Sequence, residues 1–169
     1  MNYMDDASTF ERSFLQKARQ QHIPITGALE LLPLCNMNCD MCYVRLSRSE
    51  MECQGQLRTV DEWILLAQQM QKAGTLFLLL TGGEPLLQPD AADFLRKVRE
   101  LGFAVKLDTN GCDPARLAEI LDRGLVDYVA MDVKNAPARY AETVGIPGFN
   151  PAPVEESIRL LRKSTVDYE

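Results

Sequence analysis

The stretch Thr75-Leu76-Phe77-Leu78-Leu79-Leu80-Thr81-Gly82-Gly83-Glu84-Pro85 decides the fold. Residues 75 to 80 form a continuous apolar strand that stops at two adjacent glycines. Such a run predicts burial on both faces, as in a parallel sheet with helices packed against it. The flanks agree. Before it, Thr59-Val60-Asp61-Glu62 has capping-box spacing, Trp63, Ala67 and Met70 mark a helical stripe, and Gly74 suits a C′ stop. After it, a helix is predicted from about Pro89 to Leu101, stopped by Gly102, and then a strand from Phe103 to Asp108. Asp113-Pro114 reads as an N-cap followed by an N1 proline, opening a helix to Arg123 before Gly124. Val126 to Asp132 is the fourth strand. A Pro/Gly-rich loop leads to a last helix, Val154 to Lys163, and Thr165-Val166-Asp167-Tyr168 begins a fifth strand.

Strand starts at 75, 103 and 126 recur roughly every 25 residues, the size of one βα unit. Right-handed crossovers curl such units into a barrel segment or an open doubly wound sheet. Upstream, Ser8 and Glu11 have capping-box spacing, and Phe10, Phe14 and Ala18 share one helical face. Pro24 and Gly27 are expected to break that helix, and Ala28 to Leu32 to form the first strand. Residues 34–58 read as a long loop with room for a helical turn, and loops of that length are usually functional. The loops after strands one to four are expected to converge on one rim.

The 169 residues suit one domain, divided here into a helical extension, residues 1–27, and an α/β domain, residues 28–169, that stops after its fourth βα unit. Hydrophobic residues at 46% and charged ones at 25% exclude a disordered chain. No apolar run approaches the roughly 20 residues of a membrane span. The N-terminus, MNYMDDASTF, is acidic where a signal peptide would be basic, which points to the cytoplasm. A net charge of −6 repels phosphate backbones and disfavours a nucleic-acid partner.

Three of five cysteines, Cys35, Cys39 and Cys42, fall in the pattern C-x3-C-x2-C. Clustered thiols in a chain without an export signal point to metal rather than disulfides. Three thiolates can wrap one face of an iron–sulfur cubane and leave its fourth iron open. Two other readings stand beside this one: buried structural cysteines, and structural zinc with Cys53 or His22 as fourth ligand. His22 is the single histidine, so a multi-histidine site is excluded. In the loop after strand two, Gly82 and Gly83 let backbone groups approach a ligand closely, and Glu84 offers a carboxylate to an ammonium group.

Together, C-x3-C-x2-C after the first strand and G-G-E-P after the second resemble the radical S-adenosylmethionine (SAM) superfamily. The resemblance implies a partial (β/α) barrel of about four βα units plus an N-terminal helix. It implies a [4Fe-4S] cluster on Cys35, Cys39 and Cys42, with SAM chelating the fourth iron, and Gly82, Gly83 and Glu84 as SAM contacts. Met41 holds a position where relatives often carry an aromatic near adenine, and Tyr43 is the compensating aromatic. Val105 to Gly111 and Asp127 to Lys134 resemble the activating enzymes of glycyl-radical proteins, above all those of anaerobic ribonucleoside-triphosphate reductase. By that likeness Asp108, Asp132, Val133 and Lys134 line the SAM site. The physical reading agrees, because a zwitterionic sulfonium ligand needs both carboxylates and an ammonium around it.

The expected chemistry is reductive cleavage of SAM to a 5′-deoxyadenosyl radical that abstracts hydrogen. The expected partners are a glycyl-radical enzyme or a peptide substrate and an electron donor such as flavodoxin or ferredoxin. The segment from Cys42 through Gly83 looks more like radical SAM peptide-modifying enzymes, so a peptide maturase is the alternative. A catalytically inactive cluster- or zinc-binding module is another. Uncovered strand edges make self-association a further expectation. Plainer roles are expected elsewhere: Cys112 in a turn, Cys53 a spare thiol, His22 on the surface, Trp63 in the core, and Arg45, Arg48, Glu50 and Glu52 on a solvated face.

Overall fold

Five parallel strands lie side by side in the order in which the chain makes them. The computed structural model describes the backbone of residues 3–44 and 46–169, and side chains within those from Thr9 onward. The elements are α1 (Tyr3–Gln20), β1 (Thr26–Glu30), α2 (Arg48–Gln54), α3 (Val60–Lys72), β2 (Phe77–Thr81), α4 (Ala91–Glu100), β3 (Ala104–Thr109), α5 (Pro114–Asp122), β4 (Tyr128–Met131), α6 (Tyr140–Thr143), α7 (Ala152–Lys163) and β5 (Asp167–Tyr168). A doubly wound sheet turns its strand order back on itself at a switch point. Here the order β1-β2-β3-β4-β5 never reverses. Right-handed crossovers then place every linking helix on one face. The result is a partial (β/α) barrel with an N-terminal helix.

The register shows which face is packed. Leu29 lies opposite Leu80, Leu80 opposite Leu107, and Leu107 opposite Val129. All four are at most 2% exposed and pack with Ala67, Phe94, Leu95, Val98, Leu117, Ile120 and Leu161 from the helices. The other face carries the row Ala28, Leu79, Lys106, Tyr128 and Asp167. None of that row is buried, and Phe77 beside it is 49% exposed. β2 is therefore covered on one face only, which corrects the expectation of burial on both. An open barrel segment packs its convex face on helices and leaves its concave face as a surface.

Local signals place most boundaries within two residues. The Thr59 hydroxyl accepts from the Glu62 N–H at 3.3 Å, and the Glu62 carboxylate accepts from the Thr59 N–H at 2.7 Å. Asp113 caps α5 through the Arg116 N–H, with Pro114 first in the helix. Two expectations need correction. α1 begins at Tyr3, so Ser8 lies inside it rather than at its start. Its Phe10 and Phe14 stack on each other at 6.2 Å but are 72% and 37% exposed. Gly27 is not a breaker but sits within β1, where the Met70 methyl occupies the space a Cβ would take, 1.9 Å away. The loop after β1 contains α2, set by a second capping box, Ser47 with Glu50. Arg48, Glu50 and Glu52 are exposed on it, while Arg45 lies outside the described residues. Among the described residues no helix is long and apolar enough to cross a membrane.

Candidate functional site

The segments that follow β1, β2, β3 and β4 surround one cavity of about 540 Å³ at the carboxyl ends of the strands. That volume falls within the roughly 300–1,000 Å³ of small-molecule sites. Its lining includes Cys35, Cys39 and Cys42 from the segment after β1, Thr81, Gly82 and Gly83 from the end of β2, Lys106 and Asp108 from β3, and Asp132 and Lys134 from the segment after β4. The cysteine loop is anchored between its thiols. Met37 is buried in the core, and the Asn38 N–H donates to the Val144 carbonyl at 2.8 Å. Gly145 makes that approach possible, because its Cβ would stand 2.3 Å from the Asn38 carbonyl oxygen.

The double glycine serves a second close approach. The Gly83 N–H donates to the Leu32 carbonyl at 2.7 Å, and the Glu84 N–H to the Leu34 carbonyl at 2.9 Å. A Cβ on Gly82 would meet the Leu32 oxygen at 2.5 Å, and one on Gly83 the Leu34 oxygen at 2.1 Å. The glycines thus clamp the backbone that leads into Cys35 while still lining the cavity. The Glu84 side chain is 2% exposed and does not line the cavity. Its carboxylate accepts from the Asn110 N–H at 2.7 Å, the Thr109 hydroxyl at 2.8 Å and the Leu86 N–H at 3.1 Å. Burial raises its pKa, against the pull of these three donors. Glu84 is a brace between the ends of β2 and β3.

After β4, Lys134 pairs with Asp132. Burial works against its charge, but the bond to Asp132 and the nearby carboxylate and thiols leave its pKa raised. The Lys134 N–H donates to the Tyr140 hydroxyl at 3.2 Å, and Tyr140 is buried against Phe149. Asp108 is half-buried, its pKa raised first by desolvation, and its Oδ1 is buried with no hydrogen-bond partner. The Lys106 ammonium stands 3.9 Å from that oxygen, an ion pair without a hydrogen bond. Lys106 bonds Glu169 at 2.6 Å and lies 5.3 Å from the Tyr128 ring centre.

The remaining expected site residues are placed differently. Met41 and Tyr43 are on the cavity rim and strongly exposed, at 78% and 94%. Val133 is 49% exposed and is not on the cavity wall. Asn110, within the stretch Val105 to Gly111, carries no role of its own in the sequence analysis. It is 6% exposed and bonds the cysteine loop, the Glu84 carboxylate and the Cys112 backbone. A polar residue directly after a strand was the available signal, and a turn explains the same pattern.

The donor set distinguishes between metals. Among the described residues no three His, Cys, Asp or Glu side chains stand close enough to share one ion. Zinc needs its ligands at about 2.0–2.3 Å from a single centre. Cys53, exposed on α2, and His22, exposed after α1, are not on the cavity wall. A cubane would bind each thiolate at a different iron, and Cys35, Cys39 and Cys42 all line this cavity.

Residues 29–168 match the family model described as the Radical SAM superfamily. Over 68 residues the chain is 46% identical to a protein of Methanocaldococcus jannaschii assigned by name to the glycyl-radical enzyme activating enzymes; this covers 40% of this chain and 28% of that protein. Over 125 residues it is 30% identical to the PqqA peptide cyclase of Rhodopseudomonas palustris, covering 73% of this chain and 32% of the cyclase. The chain thus spans about a third of the length of these relatives. Among solved structures, SuiB of Streptococcus suis bound to the precursor peptide SuiA matches with TM-score 0.69 and 17% identity, over 99% of this chain and 38% of SuiB. The anSMEcpe structure with bound AdoMet matches with TM-score 0.66 and 17% identity, over 86% of this chain and 43% of that one. At such identities the likeness is one of fold.

Proposed function

The chain belongs to the radical SAM superfamily, and from that premise we propose that it holds a [4Fe-4S] cluster on Cys35, Cys39 and Cys42, binds SAM, and modifies a peptide. The observation that carries the reading is that Cys35, Cys39, Cys42, Gly82, Gly83, Asp108, Asp132 and Lys134 all line one cavity. When bound, the cluster and SAM supply one-electron cleavage of a sulfonium C–S bond and hydrogen-atom abstraction. The protein's part is orientation. Lys134, held by Asp132 and by its backbone bond to Tyr140, offers an ammonium to a carboxylate. Asp108 Oδ1, 3.9 Å from the Lys106 ammonium and without a hydrogen bond, offers an acceptor to an ammonium or hydroxyl group. The backbone of Gly82 and Gly83 offers polar groups with no side chain in the way. Met41 and Tyr43 at the rim are apolar surfaces on which an adenine would pack.

A peptide substrate is favoured because the likeness to the peptide cyclase extends over 73% of the chain, against 40% for the activating enzyme. This reverses the order of preference drawn from sequence. The activating reading has its own support in the higher identity, 46%, of its shorter match. In that reading the substrate is a protein glycine. Either activity needs an electron donor of the flavodoxin or ferredoxin kind.

Anaerobic reconstitution with iron and sulfide is expected to give a brown protein with about four irons per chain. Reduction in the presence of SAM is expected to release 5′-deoxyadenosine. Cys39→Ala is expected to lose both colour and release; cleavage that survives in that variant would refute the ligand assignment. A mass change in a supplied peptide supports the modifying reading, and a glycyl-radical signal on a partner protein supports the activating one.

A further inference from the structure

We infer that Asn110 is a positioning residue for the sulfur of Cys35, and that its amide sets the reduction potential of the cluster proposed to sit there. The inference rests on the preceding proposal and adds a residue to it.

The orientation of the Asn110 amide is decided by its surroundings. The Cys112 backbone N–H meets one amide atom at 2.9 Å. An N–H can only donate, so that atom is the carbonyl oxygen Oδ1. Nδ2 therefore faces the cysteine loop. It donates to Asn36 Oδ1 at 2.7 Å and to Cys35 Sγ at 3.5 Å. The same sulfur accepts a second bond, from the Met37 N–H at 3.4 Å. Cys35 thus has two N–H donors aimed at it, one local and one from the segment after β3. The backbone of Asn110 is tied in turn to the buried Glu84 carboxylate at 2.7 Å. The side chain is 6% exposed, and its nitrogen and oxygen are both hydrogen-bonded.

Hydrogen bonds to ligand sulfurs withdraw electron density from an iron–sulfur cluster and raise its potential. Partners beyond the ligands also fix ligand orientation. Asn110 is built for both roles toward Cys35.

The test uses the full chain reconstituted anaerobically as wild type, Asn110→Ala and Asn110→Asp. The aspartate variant keeps the shape and the acceptor for Cys112 but has no donor for the sulfur. Circular dichroism reports the fold, iron analysis the loading, and a redox titration followed by absorbance and electron paramagnetic resonance the potential. Both variants are expected to titrate at more negative potential than wild type, the aspartate further because it adds a negative charge. If the alanine variant fails to fold, the aspartate variant decides. Wild-type potentials in the variants, or loss of iron from both, would overturn the inference while leaving the proposed function standing. A wild-type chain that takes up no iron would overturn both.

Discussion

Gly83 shows how much one missing methylene decides. Its Cβ would stand 2.1 Å from the Leu34 carbonyl oxygen, a backbone atom one residue before Cys35. Gly83→Ala is expected to cost about 1–3 kcal/mol of stability, seen as a lower urea midpoint, and to reduce iron uptake, because relief requires the cysteine loop to move. Unchanged midpoint and uptake would show that the clamp is dispensable. Glu84 makes a different prediction. Its folded pKa lies above its ordinary 4.5, chiefly through burial. The folded state therefore binds this proton more tightly than the unfolded chain. The stability this contributes is complete below pH 4.5 and is lost as pH rises through the raised folded value. Asp108, also raised, acts in the same direction. Glu84→Gln is expected to flatten the decline of unfolding free energy with pH above that point, as read from urea titrations at a series of pH values. An unaltered slope would mean that Glu84 does not titrate with folding.

Two helices whose starts are set by side-chain caps were readable residue by residue, while the Ser47 and Glu50 cap of α2 was not. The Thr59 and Glu62 pair starts α3, and Asp113 with Pro114 starts α5. Thr59→Ala is expected to destabilise the fold by about 0.5–2 kcal/mol, measured by denaturant unfolding, with little change in iron loading since α3 lies away from the cavity. Elements set by distant partners were not readable. Gly27 reads as a breaker until Met70 is seen to fill the space beside it. Ser8 looks like a cap, yet α1 starts at Tyr3. β2 reads as buried on both faces because apolar residues do not announce whether anything covers them. Leu78 and Leu80 are covered and Phe77 is not.

The molecule as a whole is a one-sided structure. Its convex face rests on a single apolar layer in which Leu107, 1% exposed, lies between Leu80 and Val129. Leu107→Ala is expected to cost about 2–5 kcal/mol, a large share of the roughly 5–15 kcal/mol that holds a domain together. Thermal and urea unfolding would report it, and a loss below about 1 kcal/mol would mean the layer collapses to fill the gap. The concave face, with Phe77, Lys106 and Tyr128 partly or largely exposed, reaches the cavity at Lys106.

Local chemistry is enough to identify what this chain carries. Thiol spacing, paired glycines and capping boxes each act over a few residues, so the βα repeat, the cysteine loop and the double-glycine turn are written in neighbouring positions. The unreversed strand order, which closes off the doubly wound alternative, depends on contacts between segments far apart in the chain. So do the turning of Glu84 away from the cavity and the reach of Asn110 to Cys35, 75 residues apart. Burial and hydrogen bonding across the sheet assign those roles, and neither has a signature in the residues next to them.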